Sequence, residues 1–133
     1  MTQRIKPVYI SFSEDNMAIA NGMSSFIDDQ LCWLNHNDIK DDSSVPALEQ
    51  KFTAIKNSKC VIFLLSKNSI ASQVIADELK FAFEQKKKII TFKIDDLEPL
   101  SEITSYLDDS LTFNGFEGTV FDTLTKLEQI IDL

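Results

Sequence analysis

Apolar and polar positions along this chain switch between two spacings, and each switch predicts a new element. Pro7 to Phe12 carries β-branched and aromatic residues in a short run that predicts a strand. Ser13 to Asn16 is a polar turn with helix-capping residues. Met17 to Gln30 then places Ile19, Met23, Phe26 and Ile27 at helical spacing. Leu31 to Leu34 predicts a second, shorter strand, followed by a polar loop over Asn35 to Ser44. Pro46 suits the first turn of a helix running to about Asn57, with Leu48, Phe52 and Ile55 expected inside. Cys60 to Leu65 is the most continuous apolar run and predicts a central strand covered on both faces. Ser66 to Ser69 ends it and is expected to cap a helix over residues 70–86. Lys88 to Ile94 predicts a fourth strand, closed by Asp95 and Asp96. Ser101 to Leu107 predicts a short helix and Leu111 to Phe113 an edge strand. A last helix over Gly118 to Ile131 is expected to bury Val120, Phe121, Leu124, Leu127, Ile130 and Ile131.

Strands alternating with helices over the whole length predict one α/β domain spanning 1–133, with its core over about 5–131. The expected architecture is a flavodoxin-like, doubly wound, five-stranded parallel sheet of order 2-1-3-4-5 flanked by helices, built by right-handed crossovers. Ligands in such folds bind outside the carboxyl ends of the strands, where the strand order reverses. Phe12 to Asn16, Asn35 to Ser44 and Ser66 to Ser69 converge there.

One residue breaks the pattern. At about 100° per residue, Ala71, Val74, Ile75, Phe81 and Ala82 all fall within roughly 60° of Glu78, while Gln73, Lys80 and Glu84 point away. A carboxylate among apolar neighbours is costly unless something pairs with it or uses it. It is either a buried, hydrogen-bonded structural acid or a functional group.

Charge and composition narrow the chemistry. A formal net charge of -8 argues against nucleic acid or an anionic membrane as partner. No apolar run reaches a membrane span and the N-terminus lacks a signal core, so a cytoplasmic location is expected. His36 is the single histidine, which leaves no histidine triad and no Cys/His metal spacing; no metal is expected. Cys32 and Cys60 each open a strand and read as small buried hydrophobes. With glycine only at 22, 115 and 118, no glycine-rich phosphate cradle can be written. A phospho-receiver would close its third strand with aspartate, where Ser66 stands. A flavodoxin would follow strand one with a phosphate loop, and Ser13-Glu14-Asp15-Asn16 is too acidic for that.

Five segments, in order, resemble the TIR (Toll/interleukin-1 receptor) domain family in its bacterial form. Val8 to Asp15 resembles its first box. Cys32-Trp33-Leu34 with Asp38-Ile39 resembles the second strand and the BB loop. Phe63 to Ser69 resembles the third-strand box. Ser72 with Asp77-Glu78-Leu79 resembles the following helix, and Phe113-Asn114-Gly115 a late turn. The resemblance implies an enzyme that cleaves the nicotinamide–ribose bond of NAD+, as hydrolase or cyclase, with NAD+ as substrate and no separate cofactor. It maps the catalytic glutamate onto Glu78. It further implies self-association through the BB loop at about 35–44, a separate or fused sensor, and a role in bacterial anti-phage immunity. The chain would then be a standalone effector or a fragment. The alternative is a non-catalytic TIR module that acts by homotypic docking or by interfering with host TIR signalling.

The expected substrate-binding set is Ser11, Phe12, Ser13, Asn35, Asp38, Lys40, Ser66, Ser69 and Val74. Phe12 could stack on a ligand ring or pack at the sheet end. Ser11 and Ser13 could bind the ligand or cap a helix, and Ser66 and Ser69 suit turns and caps as well as a ligand. Trp33 aims into the sheet or at the ligand. Val74 occupies the place where many active members carry tryptophan. Arg4 is the only arginine, so Lys40 and Lys67 are the nearest candidates for the phosphates.

Overall fold

In a computed structural model, residues 6–34, 38–40, 44–108, 111–115, 125–126 and 129 are described. β1 (Val8–Ser11) is followed by a 3-10 turn (Glu14–Asn16) and α1 (Met17–Ile27). β2 (Cys32–Trp33), α2 (Ala47–Asn57) and β3 (Cys60–Leu65) come next. α3 (Gln73–Glu84), β4 (Lys88–Lys93), α4 (Ser101–Thr104) and β5 (Thr112–Asn114) complete the order. The five strands pair in parallel as β2-β1-β3-β4-β5, the order expected from the alternation. The expected last helix, with its six apolar positions, lies outside the described residues apart from Thr125, Lys126 and Gln129.

The strand period divides the core between the faces of the sheet. Val8, Ile10, Cys60, Ile62, Leu64 and Ile90 pack with Ala20 and Met23 of α1. Tyr9, Val61, Phe63, Leu65 and Ile89 pack with Ile55 of α2, Ile75 and Leu79 of α3, and Ile103 of α4. Every residue of β3 is buried, as the uninterrupted apolar run from Cys60 to Leu65 requires of a strand covered on both sides. Gly115 lets the end of β5 approach β4. A Cβ there would sit 2.8 Å from the Lys93 carbonyl oxygen, which already accepts a hydrogen bond from Gly115 N.

Some element boundaries differ from the sequence expectation. α1 stops at Ile27, not Gln30: Asp28 Oδ1 accepts from Gln30 N and Ser24 Oγ donates to Asp29, so local side-chain bonds take over from the helix. The helix bearing Glu78 begins at Gln73, with Ser72 Oγ accepting from Ile75 N as its cap. Ser66 to Ser69 forms a separate turn and does not cap it. Leu48 shares the face of Ile55 yet is 52% exposed, at the start of the helix where Ala47 and Glu49 are exposed as well.

Cys32 and Cys60 are free and buried, in register on either side of Val8. Burial raises the Cys32 thiol from 9.0 to about 12 and the Cys60 thiol from 9.0 to about 11. Above pH 9 the unfolded chain therefore releases protons that the folded chain keeps, and stability should fall as pH rises through about 11 to 12. Urea midpoints between pH 8 and pH 11 check this, and a Cys32→Ala/Cys60→Ala double variant is expected to show the shallower slope.

Candidate functional site

The buried residues of α3 are Ile75, Glu78, Leu79 and Ala82. At 100° per residue they cover an arc of about 100°, with Glu78 at one edge and Leu79 at the other. Glu78 is thus at the margin of the stripe, not its centre. The margin turns toward α2, as the stacking of Phe81 on Phe52 at 4.5 Å shows. Val74 lies about 90° from the middle of that arc, which is why it is 52% exposed and stands outside the buried stripe. Ala71 precedes the helix and is exposed as well.

Glu78 is 2% exposed and both its oxygens are engaged. Tyr9 Oη donates to Oε1 at 2.6 Å and Ser11 Oγ donates to Oε2 at 2.9 Å. Strand alternation puts Tyr9 and Ser11 on the same face of β1, so a single strand supplies both donors. Lys51 of α2 brings its ammonium to 3.6 Å from Oε1. Trp33, half-buried, stacks on the Tyr9 ring at 5.0 Å and 12°. Burial holds the Tyr9 phenol well above its ordinary value, and the neighbouring Glu78 charge adds to this, so Tyr9 stays a hydrogen-bond donor at neutral pH.

The other expected residues divide into those beside Glu78 and those away from it. Ser11 is a direct partner. Phe12 belongs to the opposite sheet face, packed in the α1 core, so it is no stacking platform over Glu78. Ser13 Oγ faces Asp15 at 3.4 Å. Ser66 Oγ donates to Asn16 Oδ1 at 2.6 Å, and Ser69 Oγ donates to the Leu64 carbonyl at 2.8 Å; both serve the turn after β3. Asp38 accepts from Lys6 Nζ at 2.7 Å and from Leu34 N at 2.8 Å, tying the start of the BB-loop segment to β2 and to the N-terminal approach. Lys40 is exposed, and its backbone is held by Gln50, which also reaches the Val45 carbonyl and so clasps both ends of the 40–45 stretch. Lys67 is exposed. Asn35 and His36 lie outside the described residues.

A concavity of about 300 Å³ beside this clasp is lined by Ile39, Lys40, Ser44, Pro46 and Gln50. A smaller one of about 30 Å³ sits between the start of α3 and α4, against Ser69, Ser72, Ile75 and Ile103. Glu78 lines neither, and at 2% exposure its carboxylate is enclosed in this conformation. Its partners Tyr9 and Lys51 were not among the expected residues. The signals for them were the shared parity of Tyr9 and Ser11, and Lys51 lying four residues before buried Ile55.

A sequence model of the TIR domain matches residues 8–125. The chain belongs to the TIR domain family. Among curated proteins, none matches it. Among solved structures, it is similar to the TIR domain of the Toll-related receptor TRR-2 from Hydra magnipapillata, with a TM-score of 0.76, 14% identity, and 96% and 99% of the two chains covered. It is similar to a metazoan TIR-STING receptor from C. gigas at TM-score 0.70 and 13% identity, spanning 43% of that chain. A 2-desoxiribosyltransferase from Leishmania mexicana shares the fold at TM-score 0.58 and 18% identity, with 93% and 97% covered. The TIR domains of the activated Roq1 resistosome, which recognises the effector XopQ, match at TM-score 0.56 and 18% identity, with 92% and 83% covered. The TIR fold seen here fits an α/β scaffold in which no helix among the described residues is long and apolar enough to cross a membrane.

Proposed function

We propose that this TIR domain cleaves the nicotinamide–ribose bond of NAD+, with Glu78 as the catalytic carboxylate, in a signalling or immune response that self-association switches on. The observation that carries the reading is the oriented carboxylate: Glu78, on the helix after β3, held through both oxygens by Tyr9 and Ser11. A group fixed at both ends loses little on meeting a reacting centre, and its charge acts strongly where water is excluded. As the C1′–N bond breaks, nicotinamide takes the bonding electrons and leaves neutral, and the ribose becomes an oxocarbenium-like cation. No acid is needed for the leaving group, so a site without histidine suffices. Glu78 supplies the negative charge beside the ribose. Attack at C1′ by water, with loss of its proton, gives ADP-ribose; attack by an adenine nitrogen gives a cyclic product. The 2-desoxiribosyltransferase is named for transfer of a deoxyribosyl group, which is consistent with sugar chemistry on this scaffold.

The enclosure of Glu78 favours a second reading, in which the domain docks onto other TIR domains without turnover. Incubation with NAD+ at high protein concentration and with a crowding agent separates the two. Nicotinamide release that grows faster than linearly with protein concentration is expected of the enzyme, and no release at any concentration of the docking module. Mass analysis of the ribosyl product assigns hydrolysis or cyclisation.

A further inference from the structure

Lys51 is the unusual member of the Glu78 cluster. Lysines keep their ammonium groups in water wherever their stems allow. The Lys51 side chain is 14% exposed, and its one ionic contact among the described residues is the 3.6 Å approach to Glu78 Oε1. That is an ion-pair distance, longer than a hydrogen bond. Glu78 does not need it for satisfaction, because Tyr9 and Ser11 already donate to both carboxylate oxygens at 2.6 and 2.9 Å. Among the described residues no oxygen accepts a hydrogen bond from the Lys51 ammonium. Its three donors are therefore without a protein hydrogen-bond acceptor among the described residues, and one carboxylate oxygen lies at ion-pair distance.

The substrate class proposed above carries the complementary charges in the same order. Its nicotinamide ribose is cationic and its 5′-phosphate is anionic, a few bonds away. A carboxylate with an ammonium a few ångströms beyond it is the counterpart of that pattern. The same ammonium left beside Glu78 would weaken the field that a ribosyl cation needs. We propose that Lys51 is the phosphate-recognising residue of this site: it exchanges Glu78 for the 5′-phosphate of a nicotinamide nucleotide, and the exchange frees Glu78 for the ribose. The site then selects phosphorylated nicotinamide nucleotides over the unphosphorylated nucleoside. Lys51 takes the role that the sequence assigned to exposed Lys40 and Lys67, neither of which shares a hydrogen bond or ion pair with Glu78.

This inference rests on the NAD+-cleaving reading, and the experiment tells their failures apart. Steady-state kinetics are measured on NAD+, nicotinamide mononucleotide and nicotinamide riboside for wild type, Lys51→Met and Lys51→Arg. Wild type should prefer the two phosphorylated substrates. Lys51→Met should lose about tenfold or more in kcat/KM on both, mainly through KM, as expected when a charge-assisted hydrogen bond is removed. Its activity on the riboside should hold or rise, and Lys51→Arg should keep the preference. An equal loss on all three substrates would mean that Lys51 only supports the fold, and would overturn the inference while leaving the enzyme reading intact. If Lys51→Met does not fold, as judged by its thermal melt, the wild-type series decides: equal kcat/KM on mononucleotide and riboside overturns the inference. Absence of NAD+ cleavage by wild type removes both readings.

Discussion

Glu78→Ala should cost this domain about 3 kcal/mol of stability, while Glu78→Gln should cost about 1 kcal/mol or less. The difference follows from what each change leaves behind. Alanine strips the acceptors from Tyr9 and Ser11, both buried, and strands the Lys51 ammonium in a pocket where it is 14% exposed. Each orphaned neutral hydroxyl costs roughly 1–3 kcal/mol. Lys51 can swing partly into water, which keeps the total below that of a fully buried broken pair. Glutamine also removes the charge facing Lys51, but it has nearly the shape of glutamate, its carbonyl can accept from one hydroxyl and its amide can donate to the oxygen of the other. Urea unfolding of the two variants checks this. Equal midpoints for both would mean that the hydrogen bonds around Glu78 do not carry the weight given to them.

Phe63→Ala should be the most damaging core truncation near the site, at about 4 kcal/mol. Phe63 is fully buried in the central strand. It lies in register between Ser11 and Thr91 on the face that packs against α2 and α3. Losing the ring leaves a cavity beside the strand position that holds Ser11 against Glu78. Since a domain of this size has a total stability of about 5–15 kcal/mol, the variant should be close to unfolded at elevated temperature. A thermal melt measures it, and a drop of only one or two degrees would show that neighbouring side chains refill the space.

The strand order and the face-by-face core were legible because parallel sheets print themselves as apolar runs separated by helical spacing. Cys60 to Leu65 had to be central, and is. Glu78 was legible for the same reason, since a carboxylate in an apolar stripe is visible by phase alone. Its surroundings were less so. Tyr9 and Ser11 share parity on β1, a signal present in the sequence, but which helix face they meet depends on the packing of α3. Lys51 reads as an ordinary solvent lysine until α2 and α3 are placed side by side. Val74 falls outside the buried stripe, because a stripe counted from Ile70 includes a turn that precedes the helix, which tilts the inferred face toward Val74 and away from Leu79. Phe12 follows strand parity to the α1 side, a consequence its position at the strand end obscured. Ser66 and Ser69 turned out to be tied to Asn16 and to the Leu64 carbonyl, as short polar residues at strand ends commonly are.

The central claim is that the Glu78 carboxylate cleaves the glycosidic bond. It is tested most directly by quantifying free nicotinamide from NAD+ with wild type and Glu78→Gln side by side, at matched concentration and below both melting temperatures. The account predicts steady release by wild type and a loss of about 100-fold or more in the variant, the usual scale for removing an electrostatic stabiliser. Release by Glu78→Gln at the wild-type rate would contradict it.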